Sequence, residues 1–183
     1  VRQSFGATAA ELAVELAGDF QNVTSVVLVS DDDASAWPLA VSAAARTNAV
    51  LLPVHEGALS PEVSLWLVQH PVTSALAVGS SSAVPDSALA GLAGARRLNT
   101  ADLPIASRAA ISLNAAPVRA IAVAGVESDP EELLVAAATG LVLLYLDDAT
   151  QADNIAWLRR QTLATGVLDA GGRADLVLEI RRS

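Results

Sequence analysis

The sequence contains no cysteine, which excludes disulfides, thiolate zinc sites and a thiol nucleophile. It contains no lysine either. All 11 basic residues are arginine, against 20 acidic ones, and the formal net charge is −9. A chain so short of positive charge has no basic surface with which to displace counterions, so a nucleic-acid partner is not expected. Only 3% of residues are aromatic, and any core must close through small aliphatic side chains. The two histidines, His55 and His70, stand apart with no ligand spacing. Neither a metal nor a cofactor is expected. No apolar run reaches the roughly 18 residues that a membrane span needs. The sequence opens on Val1 rather than methionine. The expectation is a processed protein or an excised domain, with any signal or anchor outside it.

What is present is mostly alanine, valine and leucine. Apolar residues make up 52% of 183 positions, enough for one large domain or two small ones packed together. The hydrophobic pattern alternates between helix-like and strand-like segments. Residues 7–18 read as a helix, with Leu12 and Leu16 at helical spacing and Gly18 as a stop. Residues 23–29 read as a buried strand, 34–46 as a helix, and 49–54 as a strand with Pro53 near its end. Ser60 as N-cap and Pro61 at the first helical position open a helix over 60–70. A strand at 73–79, a short helix at 85–94 and a helix at 100–112 follow, the last with Pro104 in its first turn.

The pattern then returns. "VRAIAVAG" (118–125) echoes "VTSVVLVS" (23–30), and "DPEELLVAAATG" (129–140) echoes the helix from Ala34. "LVLLYLDD" (141–148) echoes "AVLLPVHE" (49–56). "TQADNIAWLRRQ" (150–161) echoes "ALSPEVSLWLVQ" (58–69), placing Trp157 opposite Trp66, and "TGVLDAGG" (165–172) echoes "ALAVGSSS" (75–82). The offset is about 95 residues, narrowing to about 92. The predicted fold is therefore α/β: two tandem flavodoxin-like, three-layer repeat units with mostly parallel sheets. Unit one spans 1–95. Unit two, a degenerate copy, spans 96–183 and packs against the first.

One stretch invites a catalytic reading. In "VVLVSDDDAS" a buried strand runs into Asp31, Asp32 and Asp33. D-x-D-x-S after a strand is the nucleophile arrangement of haloacid-dehalogenase-like phosphatases, with Asp31 attacking, Asp33 as acid/base and both holding Mg²⁺. Asp147–Asp148 would imitate the family's later acidic pair. Against this, no lysine exists to bind the phosphate, and Ala34 stands where a glycine is usual. The repeat counterpart "GVESDP" (125–130) keeps acid at a helix start but not D-x-D. The reading preferred is a capped strand-to-helix turn. "GSSSAVPDS" (79–87) lacks the spacing and lysine of a phosphate loop and reads as a turn. Trp66 and Trp157, at matched places beside leucines, read as packing residues rather than a sugar platform.

The first unit resembles the cell wall binding repeat type 2 family. Ala34, Ser35, Pro38, Leu39 and Ala40 match its helix start, and Asn48, Ala49, Leu51 and Leu52 its strand. Gly79, Ala83 and Val84 match its turn, and Arg2, Gly6, Thr8 and Ala9 its joint. Residues 96–110 match the joint without its glycine. The resemblance implies an exported, noncatalytic module at the cell surface. Such a module anchors an attached protein to cell-wall polysaccharide or another envelope polymer. Family members typically carry three repeats and bind anionic polymers, whereas this chain shows two and is acidic. A scaffold or oligomerisation domain, binding itself or another protein, is the alternative.

Side chains that follow parallel strands share a crevice. Here that edge carries Asp31, Asp32, Asp33, His55, Glu56 and Ser80–Ser82 in unit one and Glu127, Asp147, Asp148 and Asp169 in unit two. An anionic polymer is repelled by such an edge. The ligand-binding residues expected for it are the joint arginines Arg2, Arg96, Arg97 and Arg108. A neutral glycan or a cation would suit the acidic edge.

Overall fold

A computed structural model describes residues 8–20, 22–114, 118, 120–160 and 167–169. Helix α1 (Ala9–Ala17) begins at a reciprocal cap. Thr8 Oγ1 accepts from the Glu11 amide at 3.2 Å, and Glu11 Oε2 accepts from the Thr8 amide at 2.7 Å. Four strands then form a parallel sheet in the order β2-β1-β3-β4: β1 (Ser25–Ser30), β2 (Val50–Val54), β3 (Ser74–Val78) and β4 (Arg96–Leu98). Between them run α2 (Trp37–Thr47), α3 (Pro61–Gln69) and the single turn α4 (Asp86–Leu89). Ser60 caps α3 as its sequence predicts, accepting from the Val63 amide at 3.2 Å.

A 3-10 turn at Thr100–Asp102 leads into α5 (Leu103–Ile111), with Asp102 accepting from the Ile105 amide at 2.9 Å. The second parallel sheet has the order β6-β5-β7, from β5 (Ile121–Gly125), β6 (Val142–Leu146) and β7 (Val167–Asp169). Its helices are α6 (Pro130–Ala138) and α7 (Gln151–Arg159). The chain is thus two tandem α/β units with parallel sheets. Three local expectations shift. The helix predicted from Ala34 starts at Trp37, because Asp33 to Ala36 form a hydrogen-bonded turn first. The helix predicted over 85–94 is four residues long, since Gly91 and Gly94 both take positive φ. Arg96–Leu98, read as part of a joint, is a strand paired to β3, so the first sheet runs past residue 95.

The core explains the alanine content. One face of the first sheet packs Val26, Leu28, Leu52 and Val54 against Val63, Trp66 and Leu67 of α3 and Ala17 of α1. The other face packs Val27, Val29, Leu76 and Val78 against Leu39, Ala40 and Ala43 of α2. This second cluster does not end at α2. It continues through Ala106 and Ala110 of α5 and Leu133 and Ala137 of α6 to Ala122, Ala124, Leu143 and Tyr145 of the second sheet. The sheets therefore share one layer in which α2 and α6 lie against each other, and α5 runs along β6. Small residues let helices approach closely enough for one layer to serve two sheets. The far face of the second sheet packs Val123, Leu144 and Leu146 against Ile155 and Leu158 of α7.

Polar groups at this joint are matched. Edge strand β6 would bury orphan amides. Ser42 Oγ of α2 instead accepts from the Leu143 amide at 3.3 Å, and Ser107 Oγ of α5 accepts from the Tyr145 amide at 3.1 Å. Arg46 of α2 donates to the Ile111 carbonyl at 3.3 Å and the Asn114 carbonyl at 2.6 Å. None of the described helices is long and apolar enough to cross a membrane.

Candidate functional site

In both units the β-strands point their carboxyl ends at one edge, where open α/β sheets gather loop side chains. In the first unit β1 ends at Ser30, and the next three residues divide their work. Asp33 Oδ1 accepts from Ser35 Oγ at 2.6 Å and from the Ala36 amide at 3.3 Å, so it holds the turn that launches α2. Asp31 Oδ2 accepts from His55 Nδ1 at 2.9 Å, linking the ends of β1 and β2. Asp32 is exposed. Trp37 lies partly buried with its indole N–H donating to the Ser30 carbonyl at 2.9 Å.

The pair of aspartates needed for phosphoryl transfer is therefore split, one in a turn and one on a histidine. The Asp31–His55 bond holds the His55 pKa above its ordinary value, chiefly through the hydrogen bond and then through the carboxylate charge. Ligand atoms of Asp31, Asp32 and His55 fall within 4.8 Å of one another. Acidic loops converging on one edge produce such groupings without an ion, and the His55 side chain is 64% exposed. His55 stands alone in the sequence. Only parallel pairing of β1 and β2 brings it beside a residue 24 positions earlier.

The second unit repeats the charge but not the arrangement. Asp129 accepts from the Glu131 amide at 2.9 Å and caps α6. Asp147 Oδ1 accepts from the Thr150 hydroxyl and amide, both at 2.6 Å, and these bonds push its pKa down. Glu127, Asp147 and Asp148 rim an opening of about 360 Å³ after β5 and β6. Asp169 ends β7.

The expected arginines that the structure describes differ in their surroundings. Arg97 is committed to its own unit. It donates to the Gly79 and Ser80 carbonyls at 3.2 and 3.0 Å and to Asp86 Oδ1 at 2.8 Å, tying β4 to the loop after β3. Arg96 is exposed on β4, Arg108 is partly buried on α5, and Arg2 lies outside the described residues. In the serine loop Ser80 Oγ lies 2.7 Å from Ser82 Oγ and accepts from the Ala83 amide at 3.2 Å. That loop is a self-contained turn. Trp66 is buried and stacks on His70 with centroids 4.1 Å apart, and Trp157 packs against the outer core of unit two. Sequence reasoning missed Ser42, Ser107 and Arg46. Their signal was polarity at positions where otherwise alanine-rich helices are buried.

No family model and no curated protein matches the sequence. Solved structures do. Cwp6 from Clostridium difficile superposes with a TM-score of 0.75 at 18% identity, covering 90% of this chain and 28% of its own. Cwp8 from Clostridium difficile gives 0.73 at 16% identity, covering 96% of this chain and 33% of its own. The likeness is one of fold. The present chain spans a third or less of the length of those proteins.

Proposed function

We propose that this chain is a noncatalytic binding module of the cell envelope, exposed at the cell surface, which anchors an attached protein to a wall polymer. The observation that carries the reading is the fold shared with Cwp6 and Cwp8 across at least 90% of this chain. The independent resemblance of its first unit to the cell wall binding repeat type 2 family supports it. On this reading the two units are copies of one flavodoxin-like repeat, and the division between them falls after β4, which pairs with β3, rather than at residue 95. The order β2-β1-β3-β4 follows the flavodoxin winding.

The polymer contact is placed on the joint arginines. The strand-end edge presents Asp32 and Glu56 in unit one and Glu127 in unit two to water, and an anionic polymer is repelled there. Among the described members of the group Arg96 is the exposed cation, while Arg97 holds the loop after β3. The test is co-sedimentation with cell walls of the source organism. Arg96→Ala, alone or with Arg97→Ala, is expected to reduce the bound fraction, and Asp31→Asn with Asp33→Asn is expected to leave it unchanged. The reverse pattern moves the site to the acidic edge.

A further inference from the structure

Between α1 and β2 lies an open apolar groove of about 420 Å³, whose lining includes Leu12, Leu16, Phe20, Trp37, Leu51 and Pro53. Leu12 is 40% exposed, Leu16 54% and Phe20 61%. A single exposed leucine is ordinary, but large apolar side chains clustered along one groove mark a surface that something covers.

The second unit has the same groove, and there it is filled. In β1–β2 pairing Val27 faces Leu51 and Val29 faces Pro53; in β5–β6 pairing Ala122 faces Leu143 and Ala124 faces Tyr145. Leu51 and Pro53 thus stand where Leu143 and Tyr145 stand. Helices α1 and α5 are both nine residues long. Counted from their first residues, Leu12 and Leu16 stand at the places of Ala106 and Ala110. All four counterparts in unit two are buried in the shared core. Helix α2 of unit one helps to bury them, with Ser42 on the Leu143 amide and Arg46 on the Ile111 carbonyl. The polar needs agree as well. Tyr145 needs Ser107 for its amide, whereas Pro53 has no N–H to satisfy.

The surface that would fill the open groove is on α6. After α2 and after α6 the chain turns at a left-handed residue that follows a threonine, Asn48 with φ 52 after Thr47 and Gly140 with φ 84 after Thr139. Counted back from there, Leu134, Val135 and Ala138 stand at the places of Ser42, Ala43 and Arg46. On α2, Ser42 and Ala43 are buried and Arg46 reaches unit two. On α6, Val135 is 67% exposed and Ala138 is also exposed. Among the described residues, each chain therefore carries one uncovered groove and one uncovered helix face of the two kinds that dock at its own internal joint.

We infer that the α1–β2 groove of one copy receives α6 of a second copy, head to tail, repeating the docking that joins the two units within a chain. The inference takes from the proposed function only the correspondence of the two units and is independent of any wall polymer. The interface is heterologous, so it closes into a ring or extends as a filament.

Sedimentation velocity of the purified chain over a concentration series tests it. The expected result is a mass above one chain that grows with concentration. Leu16→Glu in the groove and Val135→Glu on α6 should each raise the dissociation constant by about tenfold or more. Their circular dichroism and urea midpoints should match the parent, because both side chains are exposed. The two variants mixed in equal amounts each keep one intact surface, and should regain a two-chain species and nothing larger. A parent chain that stays single at every concentration overturns the inference. So does association that neither substitution weakens, or a mixture that restores no dimer.

Discussion

His55 shows how much a single side chain can draw from the fold around it. Read in sequence it has no partner; in the structure its Nδ1 donates to Asp31 across adjacent parallel strands at 2.9 Å. The bond raises the His55 pKa above its ordinary value of 6.5. A histidine raised on folding contributes stability that is fully present below the unfolded pKa. That stability is lost as pH rises through the folded one. Proton NMR titration should therefore place the His55 midpoint above 6.5, and Asp31→Asn should bring it down. An unchanged midpoint in that variant would refute the pairing in solution. Asp147 runs the opposite way. The Thr150 hydroxyl and amide lower its pKa, so its contribution is present above the unfolded value and lost as pH falls through the folded one. Thr150→Val removes the larger of these bonds and should raise the Asp147 midpoint in a carboxylate titration followed by NMR. Asp33 was legible only in part, since it holds the turn before α2 while the helix itself has Ala36 as its N-cap with no side-chain bond. Acid before a helix reads as a cap because the first amides of any helix lack partners. The Asp31–His55 pair was not legible, because it depends on β1 and β2 becoming neighbours in the sheet, and no local pattern carries strand order.

Among the elements, the buried strands and long helices were readable because each has one periodicity over enough residues to be seen. β4 was not. Three residues beginning Arg-Arg carry no strand signal, and only hydrogen bonding to β3 makes them one. α2 was found as a helix, but its double duty was hidden, since alanine looks the same whether it faces one sheet or two. Its Ser42 is the test. Removing that hydroxyl leaves the Leu143 amide buried without a partner, and Ser42→Ala should cost about 1–3 kcal/mol of stability by urea denaturation. Ala45→Ser, on the exposed side of the same helix, should change it by about 0.5 kcal/mol or less. Equal effects would mean that Ser42 carries no such bond. Gly94 gives a second check. Its φ is +61 and an added Cβ would lie 2.8 Å from the Thr73 carbonyl oxygen. Gly94→Ala should therefore destabilise by more than the small gain alanine brings elsewhere, read from the same urea transition.

For the whole molecule, the central feature is that its two sheets close on one helical layer. Leu39, Ala40 and Ala43 belong to the same buried cluster as Leu133, Leu143 and Tyr145. A chain cut after Asn99 would expose that layer and should bind a hydrophobic dye and lose cooperative unfolding. A sharp transition like that of the full chain would show the units to be independent. The tandem arrangement was visible in the sequence because strands and turns recur in order. The sharing of a core was only outlined there, since it depends on which faces of the helices meet. Charge at the strand-end edge was legible too, but which arginines stand free of the fold was not. Arg97 spends its guanidinium on Gly79, Ser80 and Asp86, a geometry set by β4. Binding to the envelope is where fold, charge and proposed role meet. The most direct measurement is co-sedimentation of the chain with intact walls of the source organism and with the same walls stripped of their secondary polymers. The account predicts that the chain pellets with intact walls and stays in the supernatant with stripped ones. A chain that fails to pellet with intact walls would contradict it.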